Sequence, residues 1–159
     1  MKTYSLFINL IFLIILNSSC TPSANIKTKQ LFFPEDKRDE IVETAKKYIG
    51  SKYKGGGNTP DGFDCSGFTM FVYKQSSLNI PRKARSQYFS GKRITIKTAK
   101  PGDLVFFTLT NSRISHVGIY LGDNNFIHSP NIGKSVSYAS LDTPYWKRRY
   151  VGAITYFEK

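Results

Sequence analysis

An α+β fold, with helices followed by an antiparallel sheet, is the fold class that the order of patterns along this chain predicts. Apolar residues recur at helical spacing in residues 36–50 and again from residue 65 onward. From residue 104 the chain instead carries short runs rich in Val, Ile, Phe and Tyr, each bounded by turn-forming residues. Helices first and strands second favour α+β over a parallel α/β sheet, in which the two would alternate.

The first predicted helix lies in the segment DKRDEIVETAKKYIG, residues 36–50. Its acidic residues come early and its lysines late, an order that the helix dipole favours. Gly50 is its predicted C-terminal cap. The apolar face of this helix is formed by Ile41, Ala45, Tyr48 and Ile49.

The second predicted helix begins at Cys65, with Asp64 as its N-cap. Its buried face follows the i, i+3, i+4 spacing of Phe68, Phe71 and Val72.

The remaining elements are a glycine-rich loop, a short helix and a series of strands. The loop occupies residues 51–64 and the short helix residues 84–89. The predicted strands are 104–109, 115–122, 125–129, 135–140 and 150–157.

Two histidines, His116 and His128, lie on neighbouring predicted strands. If the hairpin between them closes with a three-residue loop, Leu121 pairs with Asn125 and Gly118 faces His128. His116 is then a diagonal neighbour of His128 on the same face of the sheet, within reach of two imidazole rings. A register shift of one residue would turn the rings to opposite faces, so the spacing permits a histidine pair without requiring one.

Cys65, in the segment GFDCSGF, has four possible uses: an inert core residue, half of a disulfide, a metal ligand or a nucleophile. The N–H groups at a helix start favour a thiolate, so the pKa of Cys65 is expected to be lowered, with a histidine as its base. The same N–H groups offer a site for an oxyanion. Gly67 is expected to leave room for a substrate backbone.

Residues 1–19 are predicted to be a signal peptide, in which Lys2 precedes a largely apolar run too short to span a membrane. The run ends in NSSC, which resembles a bacterial lipobox and predicts that Cys20 is lipidated. Residues 20–36 then form a lipid-anchored tether. Cleavage further on, for instance after Ala24, is the alternative, and a disulfide between the two cysteines is possible if Cys20 carries no lipid.

The segments YKGGGNTPDGFDCSGF, HVGIYLG, FIHS and PYWKRRY resemble the NlpC/P60 family of cell-wall cysteine peptidases, and most of all its lipoprotein endopeptidase branch. The likeness runs from about residue 38 to residue 157. It implies a papain-like fold, with N-terminal helices packed on an antiparallel sheet of five or six strands, and residues 37–159 as the catalytic domain. It implies neither a cofactor nor a metal.

Carried over position by position, the resemblance makes Cys65 the nucleophile, His116 the base and His128 the residue that orients the base. It also assigns a set of oxyanion and substrate residues, among which the tyrosine lines the site and two residues flank the nucleophile. These residues are Tyr53, Asp64, Ser66, Arg82 and Gln87.

Three other functions compete with this prediction. The formal charge of +12 suits an anionic partner, and Tyr145 with Trp146 could form a nucleic-acid platform. The export signal disfavours nucleic acid, and core packing near the last strand is the favoured interpretation of these two aromatics. A zinc site could be built from Cys65 and the two histidines. A catalytically idle peptidoglycan-binding lipoprotein is the third alternative, which retention of all three residues disfavours.

The predicted function is therefore hydrolysis of peptide bonds in peptidoglycan stem peptides or their cross-links. The family includes enzymes for γ-D-glutamyl–diaminopimelate bonds and for D-Ala–diaminopimelate cross-links, and the resemblance leaves the choice open. A monomer is expected in the cell envelope, held to a bacterial membrane by the lipid on Cys20. Thr21, rather than Asp, after that cysteine favours an outer membrane, facing the periplasm.

Overall fold

The computed structural model describes residues 32–109 and 113–157. Its helices are α1 (Lys37–Lys47), α2 (Cys65–Gln75), α3 (Ala84–Ser90) and α4 (Pro144–Lys147). Its strands are β1 (Asn58–Thr59), β2 (Gly62–Phe63), β3 (Lys92–Ile94), β4 (Leu104–Phe107), β5 (His116–Gly122), β6 (Asn125–His128), β7 (Ser137–Ser140) and β8 (Tyr150–Thr155).

The predicted signal peptide, the lipidation site Cys20 and most of the predicted tether lie outside the described residues. Within the described part of the chain, no helix is both long and apolar enough to cross a membrane.

Six strands form one sheet in the order β3-β8-β4-β5-β6-β7, and each neighbouring pair is antiparallel. The short strands β1 and β2 form a separate two-stranded ribbon just before α2. The prediction of an α+β fold with an antiparallel sheet of five or six strands is confirmed.

The β5–β6 hairpin sets both histidines on the same face of the sheet. Ile119 pairs with Ile127, and this register, continued by one residue, brings Gly118 opposite His128, as predicted. The small glycine matters here, because a Cβ on Gly118 would lie 2.6 Å from the ring of Phe126. A larger residue would push apart the strands that carry the histidines.

The turn of this hairpin is shorter than predicted. Gly122 pairs with Asn125, so the loop has two residues, not three. Both of them, Asp123 and Asn124, have positive φ, 48° and 59°, as a type I′ turn requires. An irregularity in the register between Tyr120 and Gly122 accommodates the extra residue, and it leaves the histidine end of the hairpin unchanged.

Both faces of the sheet are covered by apolar side chains. Along β4, Leu104 and Phe106 belong to the cluster that includes α1 and α2, while Val105 and Phe107 belong to a second cluster on the opposite face. This alternation follows from the two-residue period of a strand. Trp146 of α4 packs against the second cluster.

Several short elements were not predicted from the sequence. Strands β1, β2 and β3 have only two or three residues, and α4 has four, so none is long enough to display a hydrophobic period. Helix α1 ends at Lys47, before the predicted cap at Gly50, which instead lies at φ +88° in the following turn.

Candidate active site

Helix α2 begins at Cys65, and Asp64 is its N-cap, as predicted. Asp64 has extended backbone geometry, and its Oδ1 accepts a hydrogen bond from the N–H of Gly67 at 2.7 Å. The cap fixes the place where the helix starts. It therefore also fixes the position of the sulfur relative to the free N–H groups of the first turn.

Asp64 also binds Arg82 through two parallel hydrogen bonds, Nη1 to Oδ1 at 2.9 Å and Nη2 to Oδ2 at 2.6 Å. Two neighbouring groups also bond to this ion pair. The N–H of Gly56 donates to Oδ2 of Asp64 at 3.1 Å, and the hydroxyl of Ser66 accepts from Arg82 at 3.0 Å. The pair thus ties the glycine-rich loop, the start of α2 and the segment before α3 into one rigid wall.

We expect the Asp64→Ala substitution to lower the free energy of unfolding by about 2 kcal/mol, because it removes a helix cap and leaves the Arg82 guanidinium without its partner. Urea denaturation measures this loss. The control is Asp61→Ala, an exposed aspartate nearby whose removal is expected to change stability by less than about 0.5 kcal/mol. Equal stability of the two variants would contradict a clamping role for Asp64.

The expectation that Gly67 leaves room for a substrate backbone is wrong. A Cβ at this position would lie 2.0 Å from the carbonyl oxygen of Gly57. The missing side chain therefore lets the glycine-rich loop press directly on α2, and the loop, not a substrate, fills the space.

The Cys65 thiol donates to the carbonyl oxygen of Ser115, with Sγ and O 3.8 Å apart. Ser115 directly precedes His116, so this contact joins the start of α2 to the start of β5. The prediction of a lowered pKa is wrong for this resting arrangement: burial, with the neighbouring Asp64 carboxylate, raises the pKa of Cys65 to about 11. Backbone N–H groups of Ser66 and Val117 favour the thiolate but do not outweigh burial.

His116 and His128 form the histidine pair that the hairpin spacing permitted. Nε2 of His116 and Nδ1 of His128 are 2.8 Å apart, and the two rings are nearly perpendicular. Both side chains are buried, His116 at 2% and His128 at 3% exposure. Since Nε2 of His116 is engaged by its partner, Nδ1 is the nitrogen left to face another group.

Burial keeps the histidine pair neutral. It lowers the pKa of His116 well below its usual value, and the neighbouring His128 adds to this effect. The pKa of His128 is lowered to about 4 by burial and by the charge of Lys134. The resting site therefore holds a thiol and neutral imidazoles, and not a thiolate–imidazolium ion pair.

Trp146 packs against both imidazoles, a contact that the sequence reasoning did not identify. Its ring stacks nearly parallel on His116, with centroids 5.4 Å apart, and stands edge-on to His128 at 4.9 Å. An aromatic face next to an imidazole restricts ring rotation and stabilises the imidazolium when it forms. The sequence predicts that Trp146 packs in the core, and in the structure it packs against the histidine pair.

We expect iodoacetamide to alkylate Cys65 of the free protein at a rate that rises continuously from about pH 7 to about pH 11, because the thiol must ionise first. Mass spectrometry of the Cys65 peptide separates this reaction from alkylation of Cys20. A short peptide with one exposed cysteine and both ends blocked, whose thiol ionises near the usual value of about 8.5, is the control. A rate that is already constant at about pH 7 would mean a preformed thiolate and would contradict the assignment.

An open cleft of about 630 Å³ lies beside Cys65 and is called the Cys65 cleft below. Its lining residues include Tyr53, Asp64, Cys65, Ser66, Arg82, Lys83, Arg85, Ile114 and Ser115. Of the residues carried over from the family resemblance, Tyr53, Asp64, Ser66 and Arg82 therefore lie on the wall of one cleft with the cysteine. Burial raises the pKa of Tyr53, with Cys65 adding to the effect, so its phenol stays protonated and able to donate.

Gln87 does not face the cleft, and its expected contact with substrate is wrong. The side chain is fully buried. Its amide donates to the carbonyls of Ser66 and Pro81, and its oxygen accepts from Thr69. Gln87 therefore holds α3 against α2 beneath the cleft wall.

The zinc alternative finds no support in this geometry. Among residues 32–109 and 113–157, no group of three or more His, Cys, Asp or Glu side chains is placed to hold a metal ion. One nitrogen of each histidine is already used in the bond between the rings.

Comparison with known proteins identifies the family. The family model described as the NlpC/P60 family matches residues 50–155.

Three curated relatives carry names that specify an activity. The Probable peptidoglycan endopeptidase LytE of Bacillus subtilis is 43% identical over 114 residues, which cover 72% of this chain and 33% of the relative. The Murein DD-endopeptidase MepH of Escherichia coli is 43% identical over 110 residues, 66% of this chain and 41% of its own. The Gamma-D-glutamyl-L-lysine dipeptidyl-peptidase of Bacillus cereus is 37% identical over 125 residues, 77% of this chain and 38% of its own. The chain thus spans well under half of each relative.

Solved structures share the fold. An NlpC/P60 family protein from Bacillus cereus superposes with a TM-score of 0.72 at 36% identity, covering 76% of this chain and 40% of its own. The NlpC/p60 domain of the peptidoglycan hydrolase SagA gives a TM-score of 0.65 at 39% identity, covering 74% of this chain and 97% of that domain.

Proposed function

Because this chain belongs to the NlpC/P60 family, we propose that it is a cysteine peptidase that hydrolyses peptide bonds in peptidoglycan through Cys65, His116 and His128. The observation that carries the proposal is the hydrogen-bonded pair of His116, at the start of β5, and His128, at the end of β6. The Cys65 thiol lies beside this pair in the fold, because it bonds to the carbonyl of Ser115, the residue before His116. The relatives named above as a peptidoglycan endopeptidase, a murein endopeptidase and a dipeptidyl-peptidase support it.

His116 acts as the base through Nδ1. Nδ1 of His116 can accept a proton only if the ring carries its own hydrogen on Nε2. Nε2 of His116 therefore donates the hydrogen bond to Nδ1 of His128. His128 fixes the tautomer and the orientation of the His116 ring by accepting this bond. Rotation about the Cα–Cβ bond of Cys65 turns the thiol from the Ser115 carbonyl towards Nδ1, a hydrogen bond that tightens when substrate is bound.

The thiol proton passes to Nδ1 while sulfur forms a bond to the carbonyl carbon of the scissile amide. The N–H groups at the start of α2 and the protonated phenol of Tyr53 stabilise the oxyanion. The imidazolium then gives its proton to the leaving amine, and the C–N bond breaks to leave a thioester on Cys65. His116 takes a proton from water as the water oxygen attacks the thioester. The C–S bond then breaks, His116 returns its proton to the sulfur, and the carboxylic acid product releases its own proton to solvent.

The charge of the Cys65 cleft suits a peptide that carries carboxylates. Lys83 and Arg85 are exposed on its wall, beside Arg82, whose charge Asp64 already neutralises. We expect the double substitution Lys83→Gln, Arg85→Gln to raise KM about threefold to tenfold at low salt, with a smaller effect at high salt because ions screen exposed charges. The control is Lys92→Gln, Lys97→Gln, which removes the same charge away from the cleft. Equal KM values for the two double variants would contradict this assignment.

The proposed location is the cell envelope. It rests on the predicted signal peptide and on the lipobox-like segment that ends at Cys20. A lipid on Cys20, followed by the tether, would hold the domain at a membrane that faces the wall, and the outer membrane is the one that Thr21 favours.

Digestion of purified muropeptides, with the products identified by mass spectrometry, tests the proposed function. The fragment masses also decide whether the cut bond is γ-D-glutamyl or follows D-alanine. Iodoacetamide is expected to abolish cleavage, while a chelator leaves it intact, since the nucleophile is a thiol and not a metal-bound water. Loss of activity with the chelator alone would favour the zinc alternative, and no cleavage of any muropeptide would favour an idle binding protein.

A further inference from the structure

A second groove, of about 480 Å³, is lined by His128 of the histidine pair and, among the residues that the structure describes, shares no lining residue with the Cys65 cleft. It is called the aromatic groove, and its lining includes His128, Asn131, Lys134, Tyr138, Tyr145 and Trp146. The two cavities are linked through the imidazoles, since Ser115, next to His116, lines the Cys65 cleft and His128 lines the aromatic groove. A polymer bound across the site would reach both.

Two tyrosines in the aromatic groove are unusually exposed. Tyr138 is 56% exposed and Tyr145 is 47% exposed, and both flank the half-buried Trp146. Large aromatic side chains that remain in water beside a proposed catalytic residue indicate a binding surface more than a packing need.

Neighbouring side chains hold Tyr145 in place. The guanidinium of Arg149 covers one face of its ring at 3.9 Å, and Trp146 meets the ring at 87° with centroids 4.9 Å apart. These two contacts restrict the ring of Tyr145, while 47% of the residue stays exposed to a ligand. A preordered surface loses little side-chain entropy when a ligand binds.

The polar residues of the aromatic groove are mostly neutral. Asn131, Ser137 and Thr143 supply amide and hydroxyl groups, and Lys134 is the one lysine or arginine among the lining residues that the structure describes. No aspartate or glutamate of the described chain lines this groove. The Cys65 cleft differs, because its described lining residues include three basic side chains and a single aromatic, Tyr53.

We infer that the aromatic groove binds sugar rings of the glycan chain to which the stem peptides are joined, an inference that rests on the proposed function. A pyranose ring has flat faces of C–H groups and a rim of hydroxyl and amide groups, which matches exposed aromatic faces surrounded by neutral hydrogen-bonding side chains. A stem peptide, with its carboxylates, matches the basic Cys65 cleft instead. The enzyme would then hold glycan and peptide on the two sides of its histidine pair.

Trp146 provides the signal for a direct test, because it is the only tryptophan of the chain and lies in the groove. Soluble glycan strands stripped of all stem peptides are titrated into the wild-type protein, and Trp146 fluorescence is recorded. We expect a saturable change. We expect Tyr138→Ala and Tyr145→Ala each to weaken binding about tenfold, and Tyr145→Phe, which keeps the flat ring, to bind within about twofold of wild type.

Phe89→Ala is the matched control, since Phe89 is an exposed aromatic residue on α3 and not part of the groove. Absence of any fluorescence change, or equal weakening by Phe89→Ala and the tyrosine variants, would overturn the inference. Quenching of Trp146 fluorescence by free stem peptides but not by bare glycan would also overturn the inference, because the groove would then be a peptide site. This titration uses the Cys65→Ala variant. Bare glycan has no peptide bond that the enzyme could hydrolyse. A failure to bind glycan is therefore distinguishable from a failure of the proposed hydrolysis.

Discussion

The Cys65→Ser substitution is expected to lower kcat for muropeptide hydrolysis by at least about 10⁴-fold. A serine hydroxyl is far less acidic than a thiol, and the neutral histidine pair, with its lowered pKa values, is a weak base for it. Because the two side chains have nearly the same shape, the Asp64 cap and the Cys65 cleft should be unchanged. Product formation in single-turnover reactions, followed by mass spectrometry, gives the rate.

The control for this experiment is the same substitution at the other cysteine, Cys20→Ser, in protein purified without lipid. That variant should hydrolyse muropeptides at the wild-type rate, since Cys20 lies in the predicted tether. Circular dichroism shows whether each variant is folded. If a folded Cys65→Ser protein retained about 10% or more of wild-type activity, Cys65 could not be the nucleophile.

The His116→Ala substitution is expected to cause a loss of similar size, at least about 10⁴-fold in kcat, because it removes the only group proposed to move protons. Substitution of His128 by alanine should cost less, about 10²-fold to 10⁴-fold, since His128 only orients and stabilises the base. The pH dependence of kcat/KM separates the two roles. Wild-type activity should persist below about pH 6.5, because burial lowers the pKa of His116 and keeps it neutral there.

In a His128→Ala protein, the pH below which kcat/KM falls should differ from that of the wild type. The residual activity of a His116→Ala protein should rise with pH, because hydroxide replaces the missing base. The order of the two losses is the decisive comparison. If His128→Ala proved more damaging than His116→Ala, the roles of base and orienting residue would have to be exchanged.

The parts of the site that local sequence rules control could be predicted. Asp64 and Cys65 show the pattern of a capped helix start, and the structure begins α2 at that point. The pairing of Gly118 with His128 followed from counting back from a tight turn, although the turn itself has two residues where three were predicted. The helix start and the hairpin register are both determined by residues that lie close together along the chain.

The parts that depend on tertiary packing could not be predicted. Gln87 resembles a substrate residue in sequence, yet it is completely buried and bonds to Ser66 and Thr69, which are distant along the chain. The sequence predicts a lowered pKa for Cys65 at a helix start, but its partial burial by residues distant along the chain raises the pKa instead. Trp146 gave no sequence signal for its contact with the histidines, because α4 is too short to show a period.

A substrate analogue that ends in an aldehyde would show most directly whether the sulfur attacks a carbonyl. The analogue carries the stem peptide up to the cleaved bond, with the scissile carbonyl replaced by an aldehyde, and the matching alcohol is the control. Mass spectrometry of the Cys65 peptide after iodoacetamide treatment reports whether the thiol was covered. We predict that the aldehyde inhibits hydrolysis and protects Cys65 from alkylation, while the alcohol does neither, because only the aldehyde can form a hemithioacetal. Equal inhibition by the two analogues, with Cys65 still freely alkylated, would contradict covalent catalysis by this cysteine.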